Sequence, residues 1–253
     1  KFNRNIILKT LCIIPAAGKG SRLKINGPKI LYKFFDNERP IDIIINNIKN
    51  YVDEISIIIK PQDEFKLKGY INNNFRSLNI SLIHQKKPNG MGDAVFCAKS
   101  KIYKFNNLLI VWGDQIGVRS KTIKRTINLL NNKNQIILPL IKTKNPYVSY
   151  KIYKKRIIDI FEKRESDNSI EYGFSDVGVF ALTTNKILTL WGKYKKNNSA
   201  FGKKTKDLNF LRFLKFLNKN DWDTKYFYVN EKIQQCGLNT KNDIILYKQL
   251  LNE

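Results

Sequence analysis

Two rhythms of apolar positions alternate along the chain. Short apolar runs occur at Leu11–Ile14, Glu54–Ile59, Asn79–His84, Leu108–Trp112 and Gln135–Leu140. Runs this short and this rich in Ile, Leu and Val predict strands, several of them buried on both faces. Helical spacing fills the gaps. Pro40 opens a helix in which Ile41, Ile44, Ile45 and Ile48 fall at i, i+3, i+4 and i+7. Further helices are expected from about Asp93 to Lys104, over Asp207–Leu217 with Leu208, Leu211, Phe213 and Leu214 inward, and over Asn242–Leu251. Strand–helix alternation predicts an α/β fold, a mostly parallel sheet covered by helices. Pro146–Tyr150 and Ile157–Phe161 break the rhythm and predict an antiparallel insert. Ser175–Phe180 reads as a polar turn feeding a strand, and Lys225–Val229 as a late strand. No repeat appears and no linker marks a boundary, so residues 1–253 are expected to form a single domain.

Composition changes this picture little. At 253 residues with 42% hydrophobic content the chain can bury a full core. No apolar run approaches the roughly 20 residues of a membrane span. Lys1–Thr10 has a basic flank but too short an apolar part for a signal peptide. The net charge of +25 admits two readings. It suits a nucleic-acid or membrane-surface binder. It also suits plain composition, since Lys, Asn and Ile are abundant throughout and the lysines are scattered. Cys12, Cys97 and Cys236 are far apart, with no Cys-x-x-Cys pair. That pattern implies a reducing, cytoplasmic setting. His84 is the only histidine, which excludes a multi-His metal site. Chemistry must run on carboxylates, lysines, arginines and backbone amides, with or without a hard metal ion.

Four segments could carry it. The first strand runs into Ala16-Ala17-Gly18-Lys19-Gly20-Ser21-Arg22-Leu23, followed by Pro28-Lys29. Small residues and glycines let a backbone pass close to a bulky anion, and Arg22 and Lys29 add two cations. Neither the Walker A spacing nor the three-glycine dinucleotide pattern is present. The alternative is a tight turn with a surface Lys and Arg. Next, Gln85-Lys86-Lys87-Pro88-Asn89-Gly90-Met91-Gly92 joins a strand to a helix. Gln85 carries a donor and an acceptor that could read the edge of a base, or the segment is an ordinary loop. Trp112-Gly113-Asp114 puts a carboxylate at a strand tip, either as a turn residue or as a ligand for Mg²⁺, which favours oxygen donors. Finally Gly237-Leu238-Asn239-Thr240 precedes the last helix, with Asn239 or Thr240 as its cap. Glu162-Lys163 reads as a surface ion pair, and Asp221-Trp222-Asp223 as an exposed turn.

The first loop with Pro28-Lys29, and the later segments in their order, resemble the sugar-phosphate nucleotidyltransferase family, above all the uridylyltransferase domains that make UDP-N-acetylglucosamine. The resemblance spans nearly the whole chain. It implies a Rossmann-like three-layer sandwich with a mixed, mostly parallel sheet, of the GT-A-like nucleotide-diphospho-sugar transferase type. Residues up to about 140 would form the nucleotide half and the rest the acceptor half. The implied reaction transfers a nucleoside monophosphate from an NTP, UTP favoured, to a sugar 1-phosphate and releases pyrophosphate. Ala16, Ala17, Gly18, Gly20, Gln85 and Gly90 would hold the nucleotide. Arg22, Lys29 and Lys163 would neutralise phosphates. Asp114 and Asn239 would hold Mg²⁺, and Glu162 and Asp176 would face the acceptor. Two departures bear on the acceptor. Asp176 stands where those uridylyltransferases place Asn, and Tyr147-Val148-Ser149 replaces their Gly-Tyr-Gly. A cytidylyltransferase for a phosphocholine- or phosphonate-type acceptor is therefore an alternative, and a basic nucleic-acid-binding module a more distant one. The left-handed β-helix acetyltransferase domain of many such enzymes is not expected within this sequence.

Overall fold

The computed structural model describes residues 8–252 apart from 19, 24, 26, 35, 36, 132, 168 and 169. Lys19 of the first loop and most of Lys1–Thr10 thus lie outside the described residues. In chain order the elements are β1 (Thr10–Pro15), α1 (Pro40–Ile48), β2 (Glu54–Ile59), α2 (Glu64–Asn74), β3 (Ile80–His84), α3 (Met91–Phe96), α4 (Lys99–Ile102) and β4 (Asn107–Val111). They continue with α5 (Ser120–Asn128), β5 (Gln135–Lys144), β6 (Val148–Tyr153), β7 (Arg156–Glu162), β8 (Tyr172–Asp176) and β9 (Val179–Thr183). The last are α6 (Ile187–Tyr194), α7 (Phe210–Asn218), β10 (Asp223–Tyr228) and α8 (Lys241–Leu251).

Among the described residues the main sheet runs β10-β5-β9-β4-β1-β2-β3, with β8 also paired to β5. Strands β1 to β4 are parallel, as are β10 and β5. β9 lies antiparallel between β4 and β5, and β8 is antiparallel to β5. The sheet is mixed and mostly parallel, and helices cover both faces. Side-chain alternation in β1 shows why: Leu11 and Ile13 pack with α3, α4, α6 and α7 on one face, while Cys12 and Ile14 pack with α1, α2 and α5 on the other. β6 and β7 form the expected antiparallel hairpin, packed beside α7. Among the described residues no helix is long and apolar enough to cross a membrane. The cysteines are free.

Three expectations need adjusting. The helix expected over Asp93–Lys104 is divided, because Ala98 leaves helical geometry between α3 and α4. The amphipathic helix expected from Asp207 begins at Phe210, capped by Asn209, whose side chain accepts from the Arg212 N–H. Asp221-Trp222-Asp223 is not wholly exposed: the two carboxylates face solvent, but the Trp222 ring is buried in the core. Asp221 takes positive φ and turns the chain so that the indole points inward.

The topology also fixes where a ligand fits. The chain steps outward from β1 to β2 to β3, then returns to place β4 on the other side of β1. The loop that leaves β1 leads to α1 on one face and the loop that leaves β3 leads to α3 on the other, and a crevice opens between them at the strands' carboxyl ends.

Candidate active site

The crevice is built by backbone contacts before any side chain enters. Ala16 extends β1 by donating to the Ile58 carbonyl at 2.8 Å. Gly113 donates to the Pro15 carbonyl at 3.2 Å. A Cβ at Gly113 would lie 2.7 Å from that same oxygen, so only glycine lets the β4 loop lie against the β1 loop. This contact sets Asp114 over the crevice. A second seam brings in the far end of the chain. Leu238 donates to the Asp114 carbonyl at 2.7 Å, and Ile116 and Gly117 both donate to the Cys236 carbonyl. Asn239 is thereby set beside Asp114. The cap of α8 is Thr240, whose hydroxyl accepts from the Asp243 N–H. The Asp243 carboxylate in turn accepts from the N–H groups of Asn239 and Thr240, at 2.7 and 2.6 Å. The Asn239 side chain is therefore not used in capping and turns towards Asp114.

Three segments far apart in sequence meet there. The Lys29 ammonium lies 2.7 Å from Asp114 Oδ2 and donates to Asn239 Oδ1 at 3.1 Å. Arg22 Nη2 reaches Asn239 Oδ1 at 3.4 Å. Lys29 is held by a short 3₁₀ turn, Lys29–Leu31, pinned by buried Ile30 behind it. Arg22 stands exposed on a similar turn, Ser21–Leu23.

Beside this cluster is a cavity of about 240 Å³. Ala16, Ala17 and Gly18 line one wall, and a Cβ at Gly18 would meet nothing within 4 Å, so its backbone faces open space. Gly20 does not line the cavity; its positive φ folds the loop back on itself. Gln85, Gly90 and Met91 line the opposite wall. The side-chain amide of Gln85 donates to the Gly90 carbonyl at 3.1 Å and to Asp93 Oδ2 at 3.0 Å. Its donor is thus spent inside the loop, which leaves the carbonyl oxygen to offer a base. Gly90 has φ +103°, and a Cβ there would lie 2.6 Å from the Asp207 Cβ. The loop is joined to the segment before α7 by Leu208 N–H to Asn89 O and Gly92 N–H to Leu208 O.

The acceptor-facing residues behave differently. Glu162 is 1% exposed and does not line the cavity. Its carboxylate accepts from Asn209 Nδ2 at 2.7 Å and Arg164 Nε at 3.3 Å, with Arg212 Nε at 3.5 Å. A buried carboxylate with three donors acts first as a tie between β7 and α7. Lys163 is exposed and donates to the Asn145 carbonyl at 2.7 Å, away from the cavity. Asp176 accepts from the Tyr150 hydroxyl at 2.9 Å and the Gly178 N–H at 2.8 Å. Burial pushes its carboxyl above the usual range against those hydrogen bonds. The groups that do line this end of the cavity are Trp112, Arg164 and Asp207. Burial likewise pushes the Asp207 carboxyl up, with Arg164 opposing. Sequence reasoning missed Arg164 and Asp207; each lies among other charges, in Lys163-Arg164-Glu165 and Lys206-Asp207, with nothing to single it out.

Among the described residues no group of three His, Cys, Asp or Glu could enclose a metal. Asp114 and Asn239 nonetheless aim two oxygens at a single cation, the Lys29 ammonium. Two hard oxygen donors, with room for phosphate oxygens and water, fit Mg²⁺.

Residues 12–174, well over half of the chain, match the model of the MobA-like NTP transferase domain. The chain is 31% identical over 194 residues to a protein of Buchnera aphidicola subsp. Acyrthosiphon pisum (strain Tuc7) described as "Bifunctional protein GlmU"; the match takes in 74% of this chain and 40% of that protein. It is 23% identical over 252 residues to a protein of Acanthamoeba polyphaga mimivirus described as "Probable UDP-N-acetylglucosamine pyrophosphorylase", covering 95% of each. Among solved structures, the inositol-1-phosphate CTP transferase from T. maritima superposes with a TM-score of 0.69 at 17% identity, covering 96% of both chains.

Proposed function

The chain belongs to the MobA-like NTP transferase family, and from that membership we propose that it transfers a nucleoside monophosphate, from UTP by preference, to a sugar 1-phosphate and releases pyrophosphate. The observation that carries this reading is the meeting of Arg22, Lys29, Asp114 and Asn239 at the mouth of a glycine-lined crevice. The whole chain acts as one transferase domain, its first half serving the nucleotide and its second the acceptor.

The acceptor's phosphate oxygen forms a bond to the α-phosphorus as the bond from that phosphorus to the bridging β-oxygen breaks. Pyrophosphate carries away the electron pair. The nucleophile is already anionic near neutral pH, so no histidine base is required. What the chain must do is align the acceptor phosphate with the triphosphate and neutralise both. Backbone from Ala16 to Gly18, which lines the cavity, lies along the triphosphate. Lys29 meets the α-phosphate and Arg22 the departing pyrophosphate. Gln85 offers its oxygen to the imide N–H of uracil, and Arg164, which lines the far wall, meets the incoming phosphate in preference to Lys163. Mg²⁺ held by Asp114 and Asn239 would supply charge neutralisation and a template for the phosphate oxygens.

A second reading keeps the chemistry and changes the substrates. The Gln85 oxygen pairs equally well with the amine of cytosine, which supports a CTP-dependent enzyme acting on another phosphorylated small molecule. Pyrophosphate release measured across the four common NTPs, each against a panel of sugar 1-phosphates and phosphocholine, separates the two. Release with UTP and a sugar 1-phosphate supports the first. Release only with CTP supports the second, and no release from folded protein with any pair sinks both.

A further inference from the structure

Resting on the transferase reading, we infer that Lys29 controls entry of the metal. Its ammonium fills the place between Asp114 and Asn239 until a triphosphate draws it away, so the site takes a divalent cation together with the nucleotide and not ahead of it.

The argument starts from who holds whom. Asp114 Oδ2 has Lys29 at 2.7 Å, and Asn239 Oδ1 has both Lys29 and Arg22. The two oxygens suited to a metal are therefore already bound to the chain's own cations. The Lys29 and Asp114 side chains are only 16% and 21% exposed, so solvent screens their attraction weakly. One carboxylate faces two cations, so the cluster is net positive before anything binds. A bare divalent ion would have to displace an ammonium and then sit beside it. A triphosphate reverses that balance by giving both cations a stronger partner. Lysine suits the exchange: its charge rides on a flexible four-carbon stem, so the head can move while the backbone stays. The Lys29 backbone is fixed by its 3₁₀ turn and by buried Ile30. The motion is thereby confined to one side chain, with no loop rearrangement needed.

Mn²⁺ serves as the probe, because its free aqueous form is counted directly by electron paramagnetic resonance. Without nucleotide, Lys29→Met should bind Mn²⁺ at least ~10-fold more tightly than the unsubstituted protein, since a like charge within a few ångströms has gone. Lys29→Arg keeps the charge and should resemble the unsubstituted protein. Adding Asp114→Asn to Lys29→Met should abolish the gain. Adding α,β-methylene UTP to the unsubstituted protein should tighten Mn²⁺ binding by a similar factor, after correction for Mn²⁺ held by free analogue. Equal affinity of the unsubstituted protein and Lys29→Met overturns the proposal, as does a gain that survives Asp114→Asn. Should Lys29→Met not fold, the comparison with and without analogue decides, and equal affinity there counts against the proposal. Failure of the transferase reading shows elsewhere, as absent pyrophosphate release, and leaves the nucleotide-free comparison readable.

Discussion

Asp114 and Lys29 stand at the rim, so replacing either alters chemistry more than stability. Asp114→Ala and Lys29→Ala are each expected to lower turnover at least ~100-fold, the scale of losing one preorganised electrostatic group. Steady-state kcat on folded variants checks this, and near-normal rates in either would remove that residue from the machinery. Glu165 is a different kind of acid. It is 1% exposed, and its carboxylate accepts from the Thr205 hydroxyl and from the Lys204 and Thr205 N–H groups. Burial raises its pKa, but those bonds and the nearby Arg164 outweigh burial and hold it below the usual range. A depressed pKa stabilises the fold above the unfolded value, about 4.3, and the gain is lost as pH falls through the folded value. Glu165→Gln should therefore destabilise by about 1–3 kcal/mol at pH 7, and the deficit should shrink below about pH 4. Urea denaturation at pH 7 and pH 3 measures both; an equal deficit at the two values would contradict the assignment.

At the scale of elements, α8 matters because its cap positions its neighbour. Thr240→Ala removes the side-chain half of the capping box and should cost about 1 kcal/mol. Because Asn239 directly precedes the cap, KM for the nucleotide should rise in the same variant. Thermal melting with and without nucleotide tests the pair. Elements with an apolar signal were legible in the sequence. Ile41, Ile44, Ile45 and Ile48 line the buried face of α1, and β2 spans the residues expected. Elements whose inner face is polar were not. α5 buries Thr122 and Thr126 beside Ile123, the Thr126 hydroxyl donating to the Thr122 carbonyl and the Thr122 hydroxyl to Gln234. α2 buries only Leu67 and Ile71 along its length. The site shows the same division. Glycines and a strand-tip acid announce themselves. The burial of Glu162 does not, because it depends on Asn209 and Arg212, a long way down the chain.

For the whole molecule, the net charge of +25 bears on the polyanionic substrates proposed above. A positive field raises the capture rate of such substrates and fades with salt. kcat/KM for the NTP should fall as salt rises from ~20 mM to ~500 mM, across the range in which the Debye length shortens, while kcat changes little. A flat kcat/KM would mean that the charge does not act on substrate capture. The hydrogen bond from Lys29 to Asn239 spans 210 positions. Synthesis runs from the amino end, so the ribosome delivers the glycine-lined loop well before the partner of its cation. A nascent chain can complete much of its sheet while the constellation for catalysis is still unfinished. A product cut short just before Cys236 would keep the strands of the main sheet but lack Asn239 and the seam that sets it beside Asp114, so a folded sheet alone does not supply the proposed metal-binding pair.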